Sequence, residues 1–181
     1  CARELLSDEH LYSLARLMGN LDVDEMRIIE PLPCGKLDSL EEVLLTESES
    51  KKLMEFHVEC NKNMKLPKAS AFSYFESDDQ FGCGAGVQHS YIDNAGNLYP
   101  CDFVPVSFGN VFDIPIDVLW RKMHEEIGVP RGCCFSKFEL NNMLRNGGQN
   151  YPVDAKNLPS AFCKCENAKL PGFYRILKGE N

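Results

Sequence analysis

Nine cysteines among 181 residues constrain this chain more than any other feature. An odd number rules out complete internal pairing as disulfides. The first residues, Cys1 to Leu6, lack the charged-then-apolar layout of a secretion signal. The thiols are therefore expected to be reduced, in the cytoplasm. Excess reduced cysteines serve as metal ligands or as small buried apolar residues. Their distribution is uneven: Cys1, Cys34 and Cys60 lie in the first 80 residues, and Cys83, Cys101, Cys133, Cys134, Cys163 and Cys165 follow. At 44% hydrophobic and 25% charged the chain is globular and large enough to bury a core without staples. A net charge of -8 argues against nucleic-acid partners, and no apolar run is long enough to span a bilayer.

The chain divides near Ser77-Asp78-Asp79-Gln80, giving residues 1–77 and 78–181. The first part alternates helix and strand. Ser7 caps a helix with the stripe Leu11, Leu14, Ala15 and Met18, which Gly19 ends. Met26 to Ile29 reads as a strand. Thr46 with Glu49 forms a capping box for a helix burying Leu53, Phe56, His57 and Cys60. A second strand spans Ala69 to Phe75. This rhythm implies parallel strands joined by crossovers, as in part of a larger barrel or open sheet. His57 and Cys60 read as core. The loop after the first strand would lie at the catalytic end of such a barrel, making Glu30, Cys34 and Lys36 possible substrate or cofactor contacts against the plainer reading of a solvated loop. The expected fold class is α/β: a partial (β/α) barrel segment, then a small α+β cluster-binding domain with a β-hairpin.

In the second part, Val87 to Asp93 and Leu98 to Phe103 read as strands around the turn Asn94-Ala95-Gly96-Asn97. A helix after Pro115 presents Ile116, Leu119, Trp120, Met123 and Ile127 on one face. A hairpin count sets Cys101 opposite the Val87–His89 region, so Cys83 must bend back to reach it. Gly82, Gly84 and Gly86 permit that bend and leave room beside the backbone for a bulky cluster. Cys163 and Cys165, two apart, face one side of an extended segment. Of the adjacent Cys133 and Cys134, one can reach a shared site; Cys134 is the candidate, and burial beside Phe135 and Phe138 is the alternative. The candidate ligands are thus Cys83, Cys101, Cys134, Cys163 and Cys165. Four thiolates hold an iron–sulfur cluster or a zinc ion. The uneven spacing and the absence of C-x2-C knuckles suit the larger iron–sulfur cube better.

Phe81-Gly82-Cys83-Gly84-Ala85-Gly86, the run Tyr91 to Cys101, Phe108-Gly109-Asn110-Val111 and Trp120 resemble the auxiliary-cluster region of radical SAM enzymes, the SPASM or shorter twitch extension. The resemblance runs from about Phe81 to Trp120 and carries over Cys83 and Cys101 position by position. It implies one auxiliary [4Fe–4S] cluster serving electron transfer or substrate positioning. The family's catalytic domain uses a further [4Fe–4S] cluster and S-adenosylmethionine to generate a radical. That domain's C-x3-C-x2-C motif does not occur in this sequence, so S-adenosylmethionine and the second cluster belong to the full-length enzyme. The chain is expected to be inactive by itself. The later C-x2-C-x5-C-x3-C of the full SPASM pattern is also missing, which favours a single cluster. The implied partners are the N-terminal radical SAM portion, a reductant protein, and a peptide or small-molecule substrate. The acidic balance suits a basic partner such as a leader peptide. The alternatives are a zinc-binding interaction module and a metal-free α/β domain with buried thiols.

Overall fold

A computed structural model of the chain describes residues 3–32, 44–132, 134, 136, 152–157 and 169–180. The chain forms two compact units, Cys1–Glu76 and Ser77–Asn181.

The first unit is a strand–helix–strand arrangement with one helix before it. Helix α1 (Asp8–Asn20) starts where the Ser7 hydroxyl accepts from the His10 amide, satisfying one of the free N–H groups of the first turn. Asp8 and Glu9 sit at the positive end of its dipole. Leu11 and Ala15 face the core, whereas Leu14 is 45% exposed and lies outside the expected stripe. Gly19 does not end the helix, which runs on to Asn20. The stop comes instead at Asp22, whose φ of +54° is left-handed.

Strand β1 (Glu25–Ile28) pairs in parallel with β2 (Lys68–Ala71), Met26 opposite Ala69 and Ile28 opposite Ala71. These four side chains point to one face and are buried. Helix α2 (Glu47–Lys62) links the two strands. Its capping box is complete: the Glu49 amide donates to Thr46 Oγ1 at 3.3 Å, and the Thr46 amide donates to Glu49 Oε2 at 2.7 Å. Leu53, Phe56, His57 and Cys60 form its buried face, as the spacing predicts. The second strand is shorter than expected. After Ala71 the chain turns into a short helix α3 (Phe72–Phe75), because an aromatic-rich run has no period to hold it extended once its neighbour strand has ended. His57 is packed there. Its Nδ1 accepts from the Ala71 amide, and its ring stacks on Tyr74 at 3.9 Å. Burial lowers its pKa, so it is a neutral spacer locking α2 to the end of β2. Glu30 is buried and accepts from the Ser50 hydroxyl at 3.2 Å.

The second unit has short strands around a compact core. Strands β3 (Tyr91–Ile92) and β4 (Leu98–Tyr99) are antiparallel, Tyr91 opposite Tyr99. Both are shorter than the sequence suggests. Residues 84–88 spend their amides on a turn in which Val87 and Gln88 donate to the Gly84 carbonyl, and Val104 donates to the Cys101 carbonyl in a second turn. Strand β5 (Val106–Ser107) pairs in parallel with β6 (Val153–Asp154). Helix α4 (Ile116–Ile127) buries Leu119, Met123 and Ile127, with Trp120 half-buried. Ile116 lies outside that face, being 54% exposed. A last short helix, α5, spans Gly172–Leu177.

Among the described residues the sheets are three two-stranded pairs, mixed α/β with no closed barrel. No described helix is long and apolar enough to cross a membrane.

Candidate metal centre

The turn between β3 and β4 is held by one carboxylate. Asp93 Oδ1 accepts from the amides of Ala95 at 2.9 Å and Asn97 at 2.8 Å. Its Oδ2 accepts from Asn97 Nδ2 at 3.0 Å and Tyr99 Oη at 2.8 Å. Four donors favour the ionised form, led by the Asn97 side chain, and pull the Asp93 pKa down to about 2. Gly96 takes φ +86° in this turn. The Asn110 amide group clasps it from outside, donating to the Ala95 carbonyl at 2.8 Å while its oxygen accepts from the Phe112 amide. Gly109 places its backbone against α4: a Cβ there would meet Leu119 Cδ2 at 2.7 Å. The run Gly109-Asn110-Val111 thus joins hairpin to helix.

The folded-state pKa of Asp93 lies below its unfolded value, so its contribution to stability is present above about pH 4 and disappears as pH falls toward 2. The difference in unfolding midpoint between the wild-type chain and Asp93→Ala is expected to be full at neutral pH and to shrink across that window. Thermal melts of both proteins at a series of pH values check it.

This hairpin carries Cys101 at the end of β4, and Cys83 arrives from the other side. The pairing ends at Tyr91 opposite Tyr99, and Cys101 lies two residues beyond it. Cys83 returns through the 84–88 turn, with Gly82 and Gly86 at φ +62° and +72°. Its backbone then pairs with Arg131: the Cys83 amide donates to the Arg131 carbonyl at 2.7 Å, and the Arg131 amide donates back at 3.0 Å. That non-local pair brings the segment after α4, and with it Cys134, to the hairpin. The Cys83 and Cys134 thiols are in hydrogen-bonding contact. Cys101 lies near enough to Cys134 for each thiolate to oppose the other.

The three glycines around Cys83 do not leave open room. A Cβ on Gly82 would lie 2.1 Å from the Arg131 carbonyl oxygen, one on Gly84 2.5 Å from Gln88 Oε1, and one on Gly86 2.1 Å from Ile127 Cδ1. Protein atoms already fill those positions. The glycines are there so that the Cys83 loop can pack against the Arg131 strand and α4.

The electrostatics follow from this packing. Contact with Cys83 and then burial push the Cys134 thiol pKa far above its ordinary value, and Ser136 Oγ at 3.2 Å partly offsets this. Burial pushes Cys101 up to about 12, opposed by the hydrogen bond its sulfur accepts from the Phe103 amide. Cys101 Sγ donates to Asp102 Oδ1 at 3.1 Å. Cys60 belongs to the other unit, where burial raises its thiol to about 11 among Leu53 and Phe56. No group of three or more His, Cys, Asp or Glu side chains close enough to hold a single ion occurs among the described residues. Cys34 and Lys36 of the early loop lie outside the described residues, as do Cys133, Cys163 and Cys165. Arg131 is not singled out by the sequence, and Asp93 and Asn110 lie within the runs that carry the resemblance without a role of their own. The Arg131 pairing has no local signal, whereas Asp93 preceding the Asn94–Asn97 turn does have the pattern of an Asx turn.

Residues 83–137 match the family model of the SPASM iron–sulfur cluster-binding domain. This segment is a SPASM-type domain. It begins at Cys83 and ends just past Ser136, so Cys83, Cys101 and Cys134 all fall inside it. Domains of this family bind iron–sulfur clusters. No curated protein and no solved structure gives a significant match to the chain. The family match covers residues 83–137, which is part of the second unit.

The donor set fits such a cluster. Cys134 interacts with Cys83 and raises the Cys101 thiol, and thiolates are the ligands that iron–sulfur clusters take. Buried apolar side chains, Leu98, Val104 and Ile127 among them, form the same core as Cys83.

Proposed function

We propose that the SPASM-type domain holds one auxiliary [4Fe–4S] cluster of a radical SAM enzyme, ligated by Cys83, Cys101 and Cys134, with Cys163 or Cys165 as the fourth thiolate. The observation that carries this reading is the family match over residues 83–137, within which Cys134 interacts with Cys83 and with Cys101. Bound, the cluster supplies a one-electron carrier beside the substrate. The protein's residues do the rest. The Cys83–Arg131 backbone pair fixes one ligand against the strand that delivers another. The Phe103 amide and Ser136 hydroxyl provide hydrogen bonds to ligand sulfurs, the contacts that set a cluster's potential. The apolar core on the Cys83 side excludes water.

The first unit belongs, in this reading, to the later part of a partial (β/α) barrel. Its support is the parallel β1–α2–β2 unit, since a two-stranded parallel sheet is completed only by further strands. The radical-generating portion, with S-adenosylmethionine and its own cluster, then lies elsewhere in the full-length enzyme. The domain serves electron transfer or substrate positioning, and a reductant protein in the cytoplasm supplies electrons.

Anaerobic reconstitution with iron and sulfide, followed by chemical analysis, tests the reading. The expected content is about four iron and four sulfide per chain, with broad visible charge-transfer absorbance. A colourless protein carrying about one zinc per chain would replace it with a structural metal module.

A further inference from the structure

A cavity of about 260 Å³ beside the hairpin is lined by Cys101, and by neither Cys83 nor Cys134. Its size, below the roughly 300–1,000 Å³ of sites for drug-sized ligands, suits a single side chain. Its walls include Tyr91, Tyr99, Pro105 and Pro152, and among the described residues no lysine, arginine or histidine lines it. The two tyrosine rings lie with centroids 6.0 Å apart and 35° between planes, Tyr91 exposed and Tyr99 buried. Two carboxylates line the same cavity, Asp93 and Asp102. Asp93 is committed to its four turn donors. Asp102 is exposed, and among the described residues its one hydrogen bond is the Cys101 thiol on Oδ1. The cavity therefore joins mostly apolar walls, two ring faces and an available carboxylate oxygen.

We propose that the cavity between Tyr91, Tyr99 and Asp102 binds an arginine side chain of a peptide substrate. A guanidinium is planar, stacks on aromatic faces and pairs with a carboxylate, while its aliphatic stem covers apolar walls. The chain's net charge of -8 draws such a cation toward it. The inference deepens the proposed function and rests on it in one respect. If Cys101 is a cluster ligand, an arginine bound here anchors the peptide directly beside the cluster.

Titration of the full chain with N-acetyl-arginine N-methylamide, followed by amide chemical shifts, tests it before and after iron–sulfur loading. Saturable shifts are expected at Tyr91, Tyr99 and Asp102, with affinity about tenfold above that for the norleucine analogue, which keeps the stem and lacks the charge. Asp102→Asn should weaken arginine binding about threefold, and Tyr91→Leu by a similar factor, with the remaining hairpin shifts unchanged. Equal affinity for the two amides, or no saturable shift with arginine, overturns the arginine site. The two proposals fail separately: arginine binding to a chain that takes up no iron sinks only the cluster, and a loaded chain that ignores arginine sinks only the cavity.

Discussion

The Cys83→Ala, Cys101→Ala double variant is expected to retain only background iron and sulfide after anaerobic reconstitution, and to lose its visible charge-transfer absorbance. Alanine is the right replacement because it offers no donor atom, whereas serine leaves an oxygen. Removing two of four ligands takes away half of the thiolates that hold the cube in place. The control is Cys60→Ala. Cys60 is fully buried in the first unit among Leu53 and Phe56, with no part in the thiol group of the second. Its loss leaves a small cavity and costs about 1 kcal/mol of stability, while the iron content stays at the wild-type level. Iron and sulfide assays on the three proteins, purified side by side, decide the matter. A double variant that still carries the full complement contradicts the ligand assignment.

Gly82→Ala is expected to be the most damaging single backbone change in the second unit. The new Cβ would sit 2.1 Å from the Arg131 carbonyl oxygen and 2.5 Å from Pro171 Cγ, at φ +62°. The left-handed conformation alone costs an alanine about 1–2 kcal/mol. The backbone oxygen cannot swing aside as a side chain would, so the Cys83–Arg131 pair must open. The expected total is about 3 kcal/mol or more, a fall in melting temperature of more than about 10 °C. Cluster content should fall with it, because the same pair positions Cys83. Gly128→Ala separates the two causes. Gly128 has no atom within 4 Å of its would-be Cβ, so only backbone strain remains there, at φ +84° and ψ -87°. A loss at Gly82 no larger than the about 1–2 kcal/mol of the left-handed conformation would mean that the Cys83–Arg131 packing contributes nothing.

What the sequence discloses about this protein is mostly local. The Thr46–Glu49 capping box and the buried face Leu53, Phe56, His57 and Cys60 are set by spacing within one helix, and they stand as read. The hairpin register is equally legible, because the Asp93–Asn97 turn fixes it from within four residues. Errors arise where an amide has a competing partner. Val87 and Gln88 look extended by composition, but they bond the Gly84 carbonyl because Cys83 must be folded back. Phe72 to Phe75 carry strand-forming aromatics and form a helical turn nonetheless, since no strand continues beside them. The glycines near Cys83 show the limit most clearly. Their pattern announces close approach of something to the backbone, and only the structure reveals that it is the Arg131 carbonyl, Gln88 and Ile127. The pairing of Cys83 with Arg131 lies beyond any local pattern, and it is this pairing that carries the segment of Cys134 to Cys83.

The central claim is that sulfurs from the glycine-rich loop, the end of β4 and the segment after α4 ligate one iron–sulfur core. Diffraction from crystals of the anaerobically reconstituted chain, recorded at the iron absorption edge, tests it most directly. The account predicts one strong anomalous peak bonded to Sγ of Cys83, Cys101 and Cys134 together. A peak elsewhere in the chain, or one that leaves any of these three sulfurs outside bonding distance, would contradict it.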